Sequence, residues 1–222
     1  EVEGLFTHFS RADEMEKTSA MTQLGRYLHF TELLKARGLE IPIKHCSNSA
    51  GIIDLPQANL NCVRAGITMY GMYPSEEVQK DKVPLKPALG LKSFVTYVKE
   101  LGPGEEISYG GTYVTERTMR IATVAVGYGD GYPRSLSNCG YVLICGKRAR
   151  ILGRVCMDQL MVDVTDIMEA DVDTPVTLIG KDGDEEITME HLAELCGGFH
   201  YEMVCDRKYR SGKTGLSHAM VR

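Results

Sequence analysis

No apolar run in this chain approaches the roughly 18–20 residues that cross a bilayer, and no signal-peptide pattern opens it. Its cysteines lack any paired spacing: Cys46, Cys62, Cys139, Cys145, Cys156, Cys196 and Cys205 are odd in number and contain no CxxC. A disulfide framework or a zinc or other metal site is therefore not expected, and a reducing cytoplasm is the natural setting. Strong charge is lacking too. A net charge of −5 over 222 residues leaves no electrostatic footprint for nucleic acid or an anionic membrane. The most basic stretch, Arg207 to Lys213, is too short to hold a polyanion. Repeats and low-complexity tracts are absent. What remains is 43% hydrophobic and 25% charged, the composition of a globular protein long enough for one large domain or two modest ones.

The first third alternates strand and helix. Leu5 to Phe9 predicts a short buried strand. From Lys17 to Ala36 the residues Met21, Leu24, Leu28, Leu33 and Leu34 recur at helical spacing, and Gly38 supplies a stop. Ile41 to Cys46 predicts a second strand, Ser49 to Leu55 a helical turn halted by Pro56, and Asn61 to Ala65 a third strand. This order implies a parallel sheet, open or closed into a barrel. His8, Asn48 and Arg64 then fall at C-terminal strand ends, where such sheets place their chemistry. Pro74 to Pro87, polar and interrupted by Pro84, reads as a linker. Beyond it the pattern turns to antiparallel β. Strands are expected at Phe94–Val98, Arg120–Val126, Tyr141–Cys145, Ala149–Val155, Leu160–Val164 and Val176–Ile179, with one helix at Thr188–Cys196 ending on Gly197-Gly198.

Four strings are more specific than this pattern: Ile107-Ser108-Tyr109-Gly110, Val155-Cys156-Met157-Asp158-Gln159, Val63-Arg64-Ala65-Gly66-Ile67 and Thr7-His8-Phe9. In their order along the chain they resemble the alanine racemases, pyridoxal-phosphate (PLP) enzymes that interconvert L- and D-alanine. The resemblance runs from residue 1 to about Arg210. It implies that residues 1–85 are the C-terminal strands of a TIM-type α/β barrel that binds PLP, and that residues 86–222 are a mainly antiparallel β domain. It also implies a homodimer whose active sites are shared between subunits, and a role in supplying D-alanine for peptidoglycan.

The resemblance assigns roles residue by residue. Arg64 is the partner of the pyridine nitrogen, steadied by His45. Many PLP enzymes place a carboxylate there; a guanidinium cannot be deprotonated, so it donates a hydrogen bond and leaves that nitrogen unprotonated. The phosphate grip is Asn48, Ser49, the amides of Gly66 and Ile67, and Tyr209. Amides at a turn with a nearby hydroxyl form a general phosphate cradle, although Ser49 also suits an ordinary helix cap. His8 lies near the cofactor ring. Tyr109 is one of two opposed acid/base groups at the substrate α-carbon. A free phenol ionises at about 10, so nearby positive charge such as Arg64 or Arg154 would have to favour its anion. Met157 offers its backbone amide to the substrate carboxylate. Tyr128, in Gly127-Tyr128-Gly129-Asp130-Gly131-Tyr132-Pro133-Arg134, belongs to a signature loop at the site's mouth. Asp13, Arg154 and Tyr209 line a narrow corridor to it, and Asp158 is a carboxylate behind Tyr109.

Two departures from the family stand out. None of the twelve lysines sits before a small-residue stretch ending in Tyr-Gly-His-Gly, the family's context for the cofactor lysine. The expectation is therefore a chain that lacks the N-terminal barrel half and is inactive without it. The second departure follows Arg210, where Ser211-Gly212-Lys213-Thr214-Gly215 replaces the family's Val-Pro-Arg. Other readings are a serine or broad-specificity racemase, or a truncated, non-catalytic binding or dimerisation module. A PLP decarboxylase would call for a carboxylate in place of Arg64. A thiol nucleophile at Cys156 with His8 would need the two brought together.

Overall fold

The computed structural model describes residues 2–205, so Tyr209 and the basic tail lie outside the described residues. The chain divides into two compact units, Glu1–Ala88 and Leu89–Arg222. Among the described residues no helix is long and apolar enough to cross a membrane.

In the first unit β1 (Gly4–Phe6) pairs in parallel with β2 (Ile43–His45), Phe6 opposite His45. The connection between them carries α1 (Thr18–Ala36). Both strands are shorter than their apolar runs. After Phe6 one more ladder bond survives, from the Thr7 amide to the His45 carbonyl at 3.3 Å. The buried face of α1 is Ala20, Leu24, Tyr27 and Thr31. Met21, Leu28 and Leu33 are exposed, so the apolar stripe expected from spacing is turned by one helical step. Tyr27 decides the face: its ring is buried while its hydroxyl donates to the Leu5 carbonyl at 2.7 Å, an arrangement that an aliphatic side chain cannot offer. Phe9, Leu24, Tyr27, Cys46, Ile53 and Val78 share the resulting core.

No third strand forms at Asn61–Ala65. The Asn61 side chain takes the place of a ladder, accepting from the Lys44 amide at 2.7 Å and donating to the Pro42 carbonyl at 2.6 Å. The Arg64 amide then donates to the Ser47 carbonyl at 3.0 Å. A side chain satisfies the edge of β2, so the segment stays irregular yet follows that edge and delivers Arg64. Between the two lies α2 (Ser49–Asp54), followed at Pro56 by a 3-10 turn.

The segment Pro74–Pro87 is not a loose linker. Val78 is buried, and the Tyr73 hydroxyl donates to the carbonyls of Lys80 and Val83 while accepting from the Leu85 amide. Ser75 donates to the Asp13 carbonyl at 2.6 Å, and Glu77 accepts the Met15 amide at 2.6 Å. At the centre is an ion pair: Lys17 Nζ lies 2.7 Å from Asp54 Oδ2, with side-chain exposures of 20% and 0%. Lys17 also donates to the carbonyls of Ala12 and Glu14, and Asp54 accepts the Gln79 amide at 3.2 Å. One buried pair thus ties the loop after β1 and the Ser75–Gln79 segment to α2.

The second unit is built around seven antiparallel strands. They are β3 (Leu91–Leu101), β6 (Met119–Val124), β7 (Tyr141–Ile144), β8 (Lys147–Leu152), β9 (Leu160–Asp163), β10 (Pro175–Asp182) and β11 (Glu185–Ile187). Their order is β11-β10-β3-β6-β9-β8-β7, and β10 pairs also with β7, Val176 opposite Ile144. Six strands therefore close on themselves, which removes the open edges that invite foreign strands. Both faces of the strands carry fully buried side chains, among them Val95, Ile121, Leu143, Ile144, Ile151, Leu152, Leu160 and Leu178. A small hairpin, β4 (Glu106–Ile107) with β5 (Tyr113–Val114), leaves this barrel. The helix α3 (Met189–Cys196) is capped by the Thr188 side chain, and α4 (His200–Cys205) follows. Arg120 fastens a loop, its guanidinium donating to the carbonyls of Ile167, Met168 and Ala170.

Lys17→Met is expected to lower stability by about 3–5 kcal/mol, because removing one member of a buried ion pair strands the other charge. Urea unfolding followed by circular dichroism reads this as a lower midpoint at unchanged slope. Adding Asp54→Asn should recover most of the loss; a double variant no better than Lys17→Met would show that packing of the lysine stem, not charge, is what matters.

Candidate active site

In the first unit, one arginine gathers most of the candidate residues. Arg64 is half-buried, and its terminal nitrogens donate to His45 Nδ1, to the carbonyls of Thr7 at 3.1 Å and Cys46 at 3.0 Å, and to His8 Nδ1 at 3.3 Å. These carbonyls lie at or just past the C-terminal ends of β1 and β2, where the parallel ladder stops and main-chain oxygens need new donors. Because a guanidinium only donates, the His45 nitrogen facing it must be an acceptor, hence unprotonated. Burial, and secondarily the Arg64 charge, hold His45 below the ordinary histidine range. Phe6 completes the arrangement: its ring stacks on His45 at 5.3 Å and lies under Arg64 at 5.1 Å. Phe6 escaped notice because an aromatic residue in a short strand reads as core, yet it is 60% exposed.

The same edge carries a cluster of neutral donors and acceptors. Asn48 caps α2, its side-chain oxygen accepting the Gly51 amide at 3.0 Å, and its amide nitrogen lies 3.5 Å from His8 Nε2. Ser49 Oγ accepts the amides of Gly66 at 3.0 Å and Thr68 at 3.4 Å and lies 3.2 Å from Thr68 Oγ1. Ile67 begins the 3-10 turn Ile67–Tyr70 behind Gly66. Thr68 was not anticipated; its spacing from Ser49 has no signature in the sequence. Hydroxyls and amides converge here beside an arginine, a donor set that suits a phosphate and a ring nitrogen. Asp13 sits apart on the loop that Lys17 and Ser75 hold.

In the second unit, three backbone segments meet. Tyr109 opens the turn Tyr109–Gly111 after β4 and is 72% exposed. Before it stands Ser108 with φ 65° and ψ −177°, a conformation that is costly for any residue but glycine. Its hydroxyl donates to the Arg154 carbonyl at 2.6 Å and lies 3.4 Å from Cys156 Sγ. The approach is close enough to demand glycine at 153, where a Cβ would sit 2.6 Å from the Ile107 carbonyl oxygen and φ is +73°. The Arg154 guanidinium lies beneath Gly110, 3.6 Å from where a Cβ would stand. Gly127 is equally constrained, its absent Cβ falling 2.2 Å from the Cys156 carbonyl oxygen. This contact lets the Tyr128 and Gly129 amides donate to the Cys156 and Met157 carbonyls at 2.9 and 2.8 Å. Asp130 closes the turn by accepting the Gly127 amide at 3.0 Å. Tyr109, Arg154, Met157 and Tyr128 thus share one edge of the unit, and Asp158 follows, exposed, in the bend after Met157. The Cys156 thiol faces Ser108 and the Arg154 carbonyl.

Residues 88–214 match the family model described as alanine racemase, C-terminal domain, and residues 1–74 match alanine racemase, N-terminal domain. The chain belongs to the alanine racemase family. An alanine racemase of Methanococcus maripaludis is 48% identical over 92% of this chain and 55% of its own length; one from Clostridium perfringens is 47% identical over 95% and 54%. The structure of Clostridium difficile alanine racemase in complex with cycloserine superposes with a TM-score of 0.88 at 43% identity, covering 95% of this chain and 55% of that one. The Bacillus anthracis alanine racemase with bound L-Ala-P also gives 0.88, at 38% identity over 99% and 58%. The chain spans about half the length of the relatives it matches. Its fold is that of the family, with an N-terminal barrel-family segment and a C-terminal β domain.

The surroundings of Arg64 make a pH-dependent demand on this chain. Folding holds His45 neutral, so protons favour the unfolded state, whose histidines titrate at about 6.5. The stability gained from the neutral ring is full above that pH and is lost as pH falls toward the lower folded value. A urea midpoint measured against pH should therefore drop more steeply below 6.5 for the native chain than for His45→Gln. Parallel curves for the two would remove His45 as the acid-sensitive group.

Proposed function

We propose that this chain is part of a PLP-dependent alanine racemase, interconverting L- and D-alanine and so supplying D-alanine for peptidoglycan. The observation that carries this reading is Arg64, a donor-only cation fixed by a neutral histidine and strand-end carbonyls, where a decarboxylase or transaminase would call for a carboxylate. PLP, when bound, would draw electrons from the substrate α-carbon and make its proton removable. Arg64 would donate to the ring nitrogen without protonating it, which moderates that withdrawal and favours simple proton return over side reactions. His8 would lie beside the ring. Asn48, Ser49 and the amides of Gly66 and Ile67 would hold the phosphate, with Tyr209 contributing its hydroxyl.

Tyr109 would remove or return the proton on one face of the α-carbon. Its 72% exposure fits a side chain offered to another body. The Met157 amide would bind the substrate carboxylate, with Tyr128, Asp13, Arg154 and Asp158 shaping the approach. The active form would be a homodimer in which one subunit offers Tyr109 and Met157 to the Arg64 cluster of its partner. A base for the opposite face is still required. None of the twelve lysines occupies the family's cofactor context, so an N-terminal segment carrying that lysine would complete the site.

The chain alone, given PLP and L-alanine, should form no D-alanine; supplied with a lysine-bearing N-terminal segment from a relative, it should racemise. In that completed enzyme Tyr109→Phe should cut the rate by about 10²–10⁴-fold, the usual contribution of an acid/base group. Exchange of the α-proton with solvent deuterium should then persist for one alanine enantiomer far more than for the other. Equal loss for both enantiomers, or near-native racemisation, would refute Tyr109 as a single-face base.

A further inference from the structure

Two of the seven cysteines stand close together in the second unit, where the Arg134–Leu136 turn meets the end of α3. Cys139 follows the 3-10 turn Arg134–Leu136, and Cys196 ends α3. Cys139 Sγ lies 3.1 Å from the Ser135 carbonyl oxygen and 3.9 Å from that of Leu195, the residue before Cys196. Ser135 and Cys139 are both near enough to Cys196 to act on its thiol. Ser135 and Cys196 both line a cleft of about 470 Å³ with Tyr132, Arg134, Gly198 and Met203, which gives small solutes a route to Cys196. Cys139 is exposed outright. By contrast, Cys46 and Cys156 are buried, and Cys145 stands at the far end of β7, its thiol held protonated by burial and by Glu169 and Asp182.

We propose that Cys139 and Cys196 are a dithiol oxidation site, closed by hydrogen peroxide into a disulfide that clamps α3 onto the Arg134–Leu136 turn. The exposed Cys139 thiolate attacks one peroxide oxygen; the O–O bond breaks, the leaving oxygen takes a proton and departs as water, and Cys139 becomes a sulfenic acid. The Cys196 sulfur then attacks the Cys139 sulfur, the S–O bond breaks, and the hydroxyl leaves as a second water with the Cys196 proton. Two thiols are oxidised by two electrons and one peroxide is reduced to two waters. Burial pushes the Cys196 thiol up, which suits it to the resolving role rather than the first attack. The clamped turn runs directly on from the Tyr128 loop, so closure would stiffen the mouth that the loop forms. The site itself does not depend on the racemase reading.

The test is to treat the full chain with a small excess of hydrogen peroxide and count free thiols in denaturant. The count should fall from seven to five and return to seven with dithiothreitol. Digestion without reduction should yield one linked pair of peptides, containing Cys139 and Cys196. Cys139→Ser and Cys196→Ser should each abolish that pair, and Cys145→Ser should leave it intact. Peptides linked through any other cysteines, or Cys139 oxidised while Cys196 still alkylates, would overturn the proposal. If the serine variants do not fold, brief alkylation of the native chain decides the matter: Cys139 should be modified first, and the linked pair should then fail to form.

Discussion

A guanidinium accepts nothing, and the first unit is organised around that limit. A group that takes a hydrogen bond from Arg64 must offer a lone pair, so His45 presents an unprotonated ring nitrogen and the chain presents main-chain carbonyls. The carbonyls are available because β1 and β2 stop there. Termination of the parallel ladder and placement of the arginine are thus one structural event. The result is a cation that does not titrate, at the strand edge where Asn48, Ser49 and Gly66 also collect. A lysine could not replace it, since a single ammonium cannot span two imidazoles and several carbonyls in one plane.

The second unit reaches its arrangement by close approach rather than by charge. Gly127 and Gly153 let loops touch where any side chain would collide with a carbonyl. Ser108 holds a costly backbone conformation at the contact, directly before Tyr109. Such strain persists only on a rigid support, and the closed ring of strands supplies it: the β10–β7 pairing leaves the barrel no free edge along which to relax. Tyr109 is consequently exposed and yet held in place. An exposed aromatic on a fixed turn is preorganised for a surface that arrives from outside.

The oxidation-sensitive pair and the Lys17–Asp54 pair illustrate two ways in which distant segments are tied. The ion pair joins the loop after β1 and the Ser75–Gln79 segment to α2 through a buried carboxylate, permanently. The thiols would join α3 to the Arg134–Leu136 turn only when an oxidant is present. Neither tie has a sequence signature, since each depends on a partner dozens of residues away.

Much was legible along the chain. Alternating apolar residues marked six of the antiparallel strands to within a few residues, and Thr188 and Gly197 bracketed α3, because strand period, caps and glycine stops act over a few residues. The four strings around His8, Arg64, Tyr109 and Met157 pointed to the family, since short contiguous segments carry its chemistry. The buried face of α1 was misjudged, because the Tyr27 hydroxyl needs the Leu5 carbonyl, a partner more than twenty residues upstream. A third strand was expected at Asn61–Ala65, and the Asn61 side chain stands there instead, satisfying the edge of β2. The supposed linker Pro74–Pro87 is packed because Tyr73, Ser75 and Val78 find partners in the loop after β1, in α2 and within the segment itself. Local order was therefore set by the sequence, whereas which face is buried, which edge is paired and which residues share a site were decided by tertiary structure, for hydrogen bonds and apolar contacts between remote residues leave no periodic trace along the chain.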